Sequence, residues 1–355
     1  MKTAKLLIEP AMKEMKKESS RDTILRPLIN SIPFSIIRRI GLGEPVILYY
    51  HVVNDEDVPH ISNLYKYKQT KQFVDDLEFL LKHYLPTRLS DVIDWTNGKY
   101  SLPHSCFLLT FDDGFKEISD VIAPILLEKG IPATFFISSA FLDNRELCYQ
   151  HKTSLLVERI LGGISAATER EIKRIILSAS ISFSAVCEGL LRVNYKRKDV
   201  LDRIADVLQI DFQEYLREKR PYLSSCQVLE LIDKGFAIGA HSIDHPYYSE
   251  ISLQEQMEQT IVSVKQIREK FCLGYGAFAF PHNDTGVSSE FFKRVEETGL
   301  VDITFGTGGM LDVGPRTHKQ RVSLEKPLLP AKSILKWHYA RKGYNKIKRQ
   351  YQKKG

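Results

Sequence analysis

Short apolar runs recur along the chain, and polar or turn-forming residues follow most of them. Runs of this length are typical of buried strands, because a strand covered on both faces carries apolar residues at nearly every position. We predict strands near residues 46–51, 105–111, 132–138, 236–241, 276–281, 301–305 and 320–324.

Between several of these runs the apolar positions recur with helical spacing. In Lys71–His83, for example, Phe73, Leu77, Leu80 and Leu81 fall on one face. The same spacing predicts helices at Ile118–Lys129, Ser252–Phe271 and Ser288–Thr298. The alternation of strands and helices indicates an α/β fold with a largely parallel sheet.

The alternation stops between about residues 150 and 222, where the sequence is helical and poor in strands. The predicted helices are Ser154–Leu161, Ala167–Ser178, Ser184–Leu191, Asp199–Leu208 and Phe212–Lys219. We interpret the segment as a helical insertion between the third and fourth strands. It is either a lid or acceptor-binding subdomain, or an extension that packs on one face of the main domain.

The composition fits one large domain or two small ones, since 43% of the 355 residues are hydrophobic. The basic start is not followed by the continuous apolar stretch of a signal peptide, and no run approaches the ~20 apolar residues of a membrane span. The five cysteines are widely scattered, which favours reduced thiols over a disulfide framework. We therefore expect a cytoplasmic protein, or one at the inner membrane face.

Both ends of the chain are basic. In the amphipathic N-terminal extension, residues 1–45, the segment Ile24–Ile40 either lies on an anionic membrane or packs on the bottom of the main domain. We expect residues 326–355 to form a solvated basic tail, although peripheral membrane contact through both ends is the alternative. A net charge of only +6, without a recognisable nucleic-acid motif, predicts no nucleic-acid partner.

The residues best suited to catalysis or metal binding follow two predicted strands. His241 and His245 are four residues apart, so on a helical turn both would face one metal ion. Asp113 is our choice for a third ligand, which leaves Asp112 as a carboxylate able to take a proton from water. The two aspartates converge only if the strand ends there, and Gly114 permits the necessary turn. Zinc suits such ligands best, and cobalt or nickel would also be accepted.

Taken together, these motifs resemble the polysaccharide deacetylases with NodB homology, carbohydrate esterase family 4. Thr110–Gly114 matches the first family motif, His241–His245 the second, and Phe278–Pro281 resembles the third. Three predicted strands also resemble those of the family: Val46–His51, Ile131–Ile137 and Arg321–Leu324. The resemblance covers about residues 46–148 and 222–325.

The resemblance implies a distorted (β/α)7-type barrel over residues 46–325, interrupted by the helical insertion. Active sites of such barrels lie at the C-terminal ends of the strands, where both motifs fall. Asp112 would be the general base, and Asp113, His241 and His245 would hold a divalent metal. The implied reaction removes an N-acetyl group from a sugar polymer, a lipid-linked saccharide or a glycolipid precursor. The backbone N–H of Phe115 is a candidate donor to the oxyanion.

Two family features are missing from the sequence. Many members carry an arginine in the third motif that orients the base, and a Leu-x-His near the end whose histidine is the general acid. Neither is present here, so His282 is our first candidate for the acid, with His51 and His318 as alternatives. Each of these histidines could instead be a surface or supporting residue. Pro281 and His51 are further candidates for substrate contact.

These departures leave two other functions open. The chain could be a catalytically impaired relative that only binds saccharide, which the missing arginine and acid favour and the intact aspartates and histidines oppose. It could also be an O-deacetylase, because the residues that activate water would be the same.

Overall fold

The computed structural model describes residues 29–41, 43–311 and 314–352. Among these, residues 29–55, 67–143 and 221–352 form one compact unit, here called the barrel unit. Residues 56–66 and 144–220 form a second, here called the helical unit. The second unit contains the insertion that the sequence predicts.

Nine parallel strands form a single sheet in the described part of the barrel unit. They are β1 (Val46–Tyr50), β2 (Leu85–Pro86), β3 (Cys106–Phe111), β4 (Ala133–Ile137), β5 (Ala237–Ala240), β6 (Ala277–Ala279), β7 (Ile303–Gly306), β8 (His318–Gln320) and β9 (Val322–Ser323). Their order is β8-β7-β6-β5-β4-β3-β1-β9, with the short β2 beside β3.

The two ends of this sheet are formed by one stretch of chain. β8 pairs with β7 and β9 pairs with β1, and only Arg321 separates β8 from β9. The sheet therefore closes on itself, which confirms the predicted distorted barrel. Each predicted strand is present with slightly shifted ends, except that the last one is divided at Arg321, and β2 was not predicted.

Apolar side chains fill the interior of the barrel. They come from the strands that precede the two motifs and from neighbouring strands. Leu108 of β3, Phe136 of β4 and Phe305 of β7 are each at most 1% exposed, and each such burial contributes about 1.5–3 kcal/mol. Gly239 leaves room for one of these rings, since a Cβ there would lie 2.4 Å from the Phe136 ring. Strands β3, β4 and β5 are therefore closely packed against one another in the barrel interior.

Besides a short helical stretch at residues 29–31, fourteen α-helices accompany the strands in the described residues. They are α1 (Phe34–Ile37), α2 (Pro59–Ser62), α3 (Thr70–His83), α4 (Leu89–Thr96), α5 (Ala123–Glu128), α6 (Tyr149–Leu161), α7 (Ala166–Ser178), α8 (Val186–Leu191), α9 (Asp199–Leu208), α10 (Phe212–Lys219), α11 (Ser225–Asp233), α12 (Leu253–Lys270), α13 (Ser289–Glu297) and α14 (Ala331–Gln352). A π-helix, Ile118–Ile122, precedes α5. Helices α2 and α6–α10 belong to the helical unit.

The helical unit is held by its own polar contacts as well as by apolar packing. Ser154 of α6 donates its hydroxyl to the Pro59 carbonyl of α2 at 2.6 Å. His60 of α2 shares a 2.9 Å hydrogen bond with the hydroxyl of Tyr215 in α10. The five helices predicted for the insertion are all present, and α6 begins five residues earlier than expected.

The basic C-terminal residues form helix α14 rather than the solvated tail expected from the sequence. Ile334, Leu335 and Tyr339 are buried, and the Tyr339 hydroxyl hydrogen-bonds that of Tyr84 at 2.9 Å. Phe34 of α1 packs edge-on against the rings of Tyr84 and Tyr339. This part of the N-terminal extension therefore packs on the barrel unit, while residues 1–28 lie outside the described residues. No helix in the described ranges is long and apolar enough to cross a membrane.

Candidate active site

The first motif turns sharply at the end of β3. Asp113 and Gly114 both adopt the left-handed backbone conformation, with φ of 70° and 68°. The turn brings adjacent aspartates together although neighbouring side chains on a strand point to opposite faces. The Asp112 N–H still donates to the Tyr50 carbonyl at 3.0 Å, so the turn begins from a fixed strand end.

The second motif follows β5 in an irregular loop, and not on the helical turn that the sequence suggested. His241 keeps a backbone hydrogen bond to the Ile137 carbonyl at 2.9 Å. Ser242 and His245 then take positive φ values of 68° and 65°. The Ser242 hydroxyl accepts the His245 N–H at 3.0 Å and closes the loop. The two imidazoles therefore converge through backbone turns, because no helix is present to place them on one face.

Asp113, His241 and His245 meet in a buried cluster. The Asp113 Oδ1 atom lies 3.3 Å from His241 Nε2 and 3.1 Å from His245 Nε2. One ligand atom from each residue falls within 4.8 Å of the others. His241 Nδ1 lies 2.8 Å from the Ala279 carbonyl, to which it donates, so Nε2 carries the lone pair that faces the cluster.

These three side chains fit a divalent metal ion. Asp113 Oδ1 and His241 Nε2 are buried, and neither hydrogen-bonds any residue in the described ranges. Buried polar atoms without partners are costly, so their convergence indicates a ligand. Burial raises the pKa of Asp113, but the adjacent imidazoles of His245 and His241 outweigh it and hold that pKa well below its usual range. An ionised carboxylate with two imidazoles is a ligand set that zinc accepts.

Asp112 is held by a residue that the sequence analysis missed. Arg321 Nη1 donates to Asp112 Oδ1 at 2.6 Å, and Nη2 donates to Oδ2 at 2.7 Å. The guanidinium is completely buried and lies over the rings of Tyr49 and Phe136, at 4.7 and 5.5 Å from their centroids. The arginine missing from the third motif is thus replaced by one at the junction of β8 and β9. Little in the sequence could have identified it, because Arg321 directly follows the polar strand β8, which carries another cation, Lys319.

The charge of Arg321 decides the protonation state of Asp112. Burial alone would raise the pKa of this carboxyl, but the opposing charge and hydrogen bonds of Arg321 lower it below its ordinary value. Asp112 is therefore an ionised carboxylate, fixed at both oxygens and able to accept a further proton on a remaining lone pair.

His51 lies at the end of β1 and is paired with a second carboxylate that the sequence analysis did not single out. Its Nδ1 is 2.5 Å from Glu325 Oε2, while Glu325 Oε1 accepts the backbone N–H of His51 at 2.5 Å. Burial disfavours the imidazolium, but Glu325, Asp113 and Asp112 outweigh it and raise the pKa of His51 to about 9. Glu325 therefore favours the protonated form of the His51 imidazole.

His282 is next to the cluster but in a different state. Its ring stacks on Tyr247 with 3.6 Å between centroids and lies 4.4 Å from the His245 ring. Burial and the neighbouring His245 lower its pKa well below the usual range. The backbone of His282 has a positive φ of 56°, and its carbonyl accepts the Thr307 hydroxyl at 3.0 Å.

The remaining candidates lie less favourably for direct contact with substrate. His318 is buried and its ring nitrogens are within hydrogen-bonding distance of Thr304 and Asp284. Phe115 is completely buried and stacks on Tyr222, so any contribution would come from its backbone. Pro281 is buried, and its carbonyl accepts the Asn283 N–H at 2.6 Å.

Comparisons with known proteins bear on the fold and on the first motif. Residues 99–176 match the family model for polysaccharide deacetylase, and this stretch includes both aspartates. No curated protein sequence matches the chain. Among solved structures, the Streptococcus pyogenes deacetylase PplD in complex with acetate has a TM-score of 0.54 at 12% identity, covering 83% of this chain and 99% of that one. IcaB from Ammonifex degensii has a TM-score of 0.52 at 16% identity, covering 84% and 98%.

At these identities the two structures establish a shared fold. The barrel fold predicted from the motifs is the one found in these two structures. The family match over the first motif, together with this shared fold, supports the resemblance of the chain to the polysaccharide deacetylases.

Proposed function

We propose that this protein is a metal-dependent hydrolase that removes N-acetyl groups from a saccharide. The substrate would be a sugar polymer, a lipid-linked saccharide or a glycolipid precursor. The observation that carries the proposal is the buried cluster of Asp113, His241 and His245 beside an ionised Asp112. A module that only binds sugar has no use for a separately clamped carboxylate next to a ligand cluster.

Asp113, His241 and His245 would hold the metal. A divalent ion bound there supplies a Lewis acid that polarises the acetyl carbonyl and acidifies water. Zinc is our first choice, and the same side chains would accept cobalt or nickel.

Asp112 would take the proton from the attacking water. Its low pKa makes it a weak base, but guarantees that it is ionised at neutral pH. Arg321 fixes both of its oxygens, so the carboxylate is oriented before substrate binds. The Phe115 backbone N–H remains our candidate for hydrogen-bonding the oxyanion.

His51, rather than His282, would protonate the leaving amine. Glu325 engages Nδ1 of His51 and favours the imidazolium, which leaves Nε2–H as the donor. His282 instead stacks on Tyr247 and lies edge-on to His245, and burial lowers its pKa and so disfavours its protonated form. We therefore assign His282 to the wall of the site. Loss of acid catalysis typically costs about 10²–10⁴-fold in rate.

The proposal is tested by acetate release from N-acetylhexosamine oligomers, lipid-linked sugars and O-acetylated sugars. Asp112→Asn should abolish release, and chelation should do the same. Asp120→Asn is the matched control, because it makes the same chemical change at an exposed position after the same motif. Release from O-acetylated sugars alone would assign the O-deacetylase instead. Unchanged turnover in Asp112→Asn would refute the mechanism.

A further inference from the structure

A cavity of about 120 Å³ lies beside Arg321 in the barrel unit, and nothing in the proposed mechanism uses it. We call it the Arg321 cavity. The residues that matter for its chemistry are Thr307, Arg321, Lys326, Ser333, Trp337 and His338. The first three follow β7, β8 and β9, and the last three belong to α14.

Two of these residues connect the cavity to the catalytic groups. Arg321 donates a hydrogen bond to Asp112 from each of its two terminal nitrogens. Thr307 donates its hydroxyl to the carbonyl of His282, whose ring touches His245. Thr307 follows directly after β7, so the cavity lies at the C-terminal side of the strands, where the two motifs also lie. The cavity and the proposed base therefore share one contact residue, Arg321.

The polar groups of the cavity suit an anion. Lys326 is exposed at its edge, Ser333 supplies a hydroxyl, and Trp337 is half-buried. Within the described residues, no aspartate or glutamate lines the cavity. Burial is the main cause that lowers the pKa of His338 to about 4, and the nearby charges of Arg341 and Lys326 lower it further.

The volume limits what can enter. A complete drug-sized ligand needs about 300–1,000 Å³, whereas a cavity of about 150 Å³ holds a benzene ring. At about 120 Å³ the Arg321 cavity fits one substituent of a sugar and not a whole sugar with its neighbours.

We propose that the Arg321 cavity is a substrate subsite for an anionic group, a phosphate or a carboxylate, carried by the saccharide near its acetylated position. This inference rests on the proposed function and names a substrate class for the same site. A lipid-linked saccharide would supply a phosphate, and a uronic acid would supply a carboxylate. Lys326 provides the charge, while Trp337 packs against the adjoining sugar carbon atoms.

The test uses the fluorescence of Trp337 in the full-length, zinc-loaded protein. The chain has two tryptophans, Trp95 and Trp337, so Trp95→Phe leaves Trp337 as the single reporter. This variant is titrated with N-acetylglucosamine 1-phosphate, with glucuronic acid and with neutral N-acetylglucosamine at equal ionic strength. The same titrations are made after adding Lys326→Met, and after adding Lys332→Met as a matched control. Lys332 is also exposed but does not line the cavity.

We expect a saturable change with one of the two anions and at least a tenfold weaker response with neutral sugar. Lys326→Met should weaken anion binding at least tenfold, and Lys332→Met should leave it unchanged. The responding anion identifies phosphate or carboxylate as the group. Equal responses to neutral sugar, no saturable response to either anion, or insensitivity to Lys326→Met would overturn the subsite.

Acetate release is measured on the same preparations. Binding without any deacetylation would contradict the proposed function and leave the subsite standing. Deacetylation without anion binding would contradict the subsite and leave the proposed function standing. The two failures are therefore distinguishable.

Discussion

Arg321 is a buried cation whose position in the sequence gives little hint of its partner. Its bidentate contact with Asp112 joins residues more than two hundred positions apart. Both side chains are almost completely buried, so each relies on the other for compensation of its charge. Sequence analysis found Asp112 through its motif, but it could not find Arg321, because the pairing exists only once the barrel has closed.

Replacing Arg321 should change the protonation of the base. In Arg321→Lys the bidentate contact is lost although the charge remains, so the pKa of Asp112 should rise. The acidic limb of the pH profile of kcat/KM should therefore move to higher pH, with activity reduced roughly 10–100-fold. Arg321→Met, which leaves Asp112 buried and unpaired, should also cost about 3–5 kcal/mol in free energy of unfolding. If the acidic limb is unshifted in Arg321→Lys, Arg321 does not control the protonation of Asp112.

The pairing of His51 with Glu325 predicts a change at the opposite end of the pH profile. The pKa of His51 is raised to about 9, so its proton is present below that pH and lost above it. Glu325→Gln removes the charge that favours the imidazolium, and the basic limb of kcat/KM should therefore move to lower pH. Activity near pH 6 should be reduced less than activity near pH 9. If His282→Gln moves the basic limb and Glu325→Gln does not, His282 is the acid.

At the scale of elements, the sequence predicted the strands better than the loops. Apolar runs identify parallel strands because these are buried on both faces, and all seven predicted runs are present in the barrel. The His241–His245 loop was assigned the wrong geometry, since two positive φ values on non-glycine residues leave no pattern in the sequence. Helix α14 was mistaken for a tail because its charged residues conceal its buried face.

The side-chain contacts between the loop after β6 and strand β8 predict that stability depends on pH. Asp284, after β6, lies 3.0 Å from His318 Nε2 and accepts the Gln320 amide at 2.5 Å. Burial raises the pKa of Asp284, but these contacts with β8 outweigh it and lower the pKa to about 2.

An aspartate in the unfolded chain titrates at about pH 3.9. The stabilisation from these contacts is therefore complete above that pH and is lost as the pH falls towards 2. Asp284→Asn should therefore flatten the fall in free energy of unfolding between pH 5 and pH 3, measured by denaturant titration. The same fall in Asp284→Asn as in the parent would assign the acid sensitivity elsewhere, and exposed Asp120→Asn should change nothing.

At the scale of the whole molecule, the described chain consists of the barrel unit and the helical unit, each compact by itself. The insertion was predictable from a change in periodicity, because helical spacing replaces apolar runs over the same residues. Its role as a lid, an acceptor-binding subdomain or a packing extension stays a prediction, since it depends on surfaces that periodicity does not describe.

Peripheral membrane contact also stays a prediction, and α14 makes it testable without deleting buried residues. Lys332, Arg341 and Lys346 are exposed on this helix. Each basic residue near an anionic membrane contributes about 1 kcal/mol, so changing all three to glutamate should weaken binding to phosphatidylserine vesicles at least about 100-fold. Vesicle co-sedimentation measures this directly. If the parent protein does not sediment with vesicles, the membrane contact and an inner-membrane location are both rejected.

The central claim is that one metal ion at Asp113, His241 and His245 works with Asp112 as the base. The most direct measurement titrates metal-free protein with zinc while following bound metal and acetate release together. We predict that acetate release rises in proportion to zinc and saturates at one ion per chain, and that Asp112→Asn binds the same single ion without turnover. Full turnover in the presence of excess chelator, or zinc-dependent turnover in Asp112→Asn equal to that of the parent, would contradict the account.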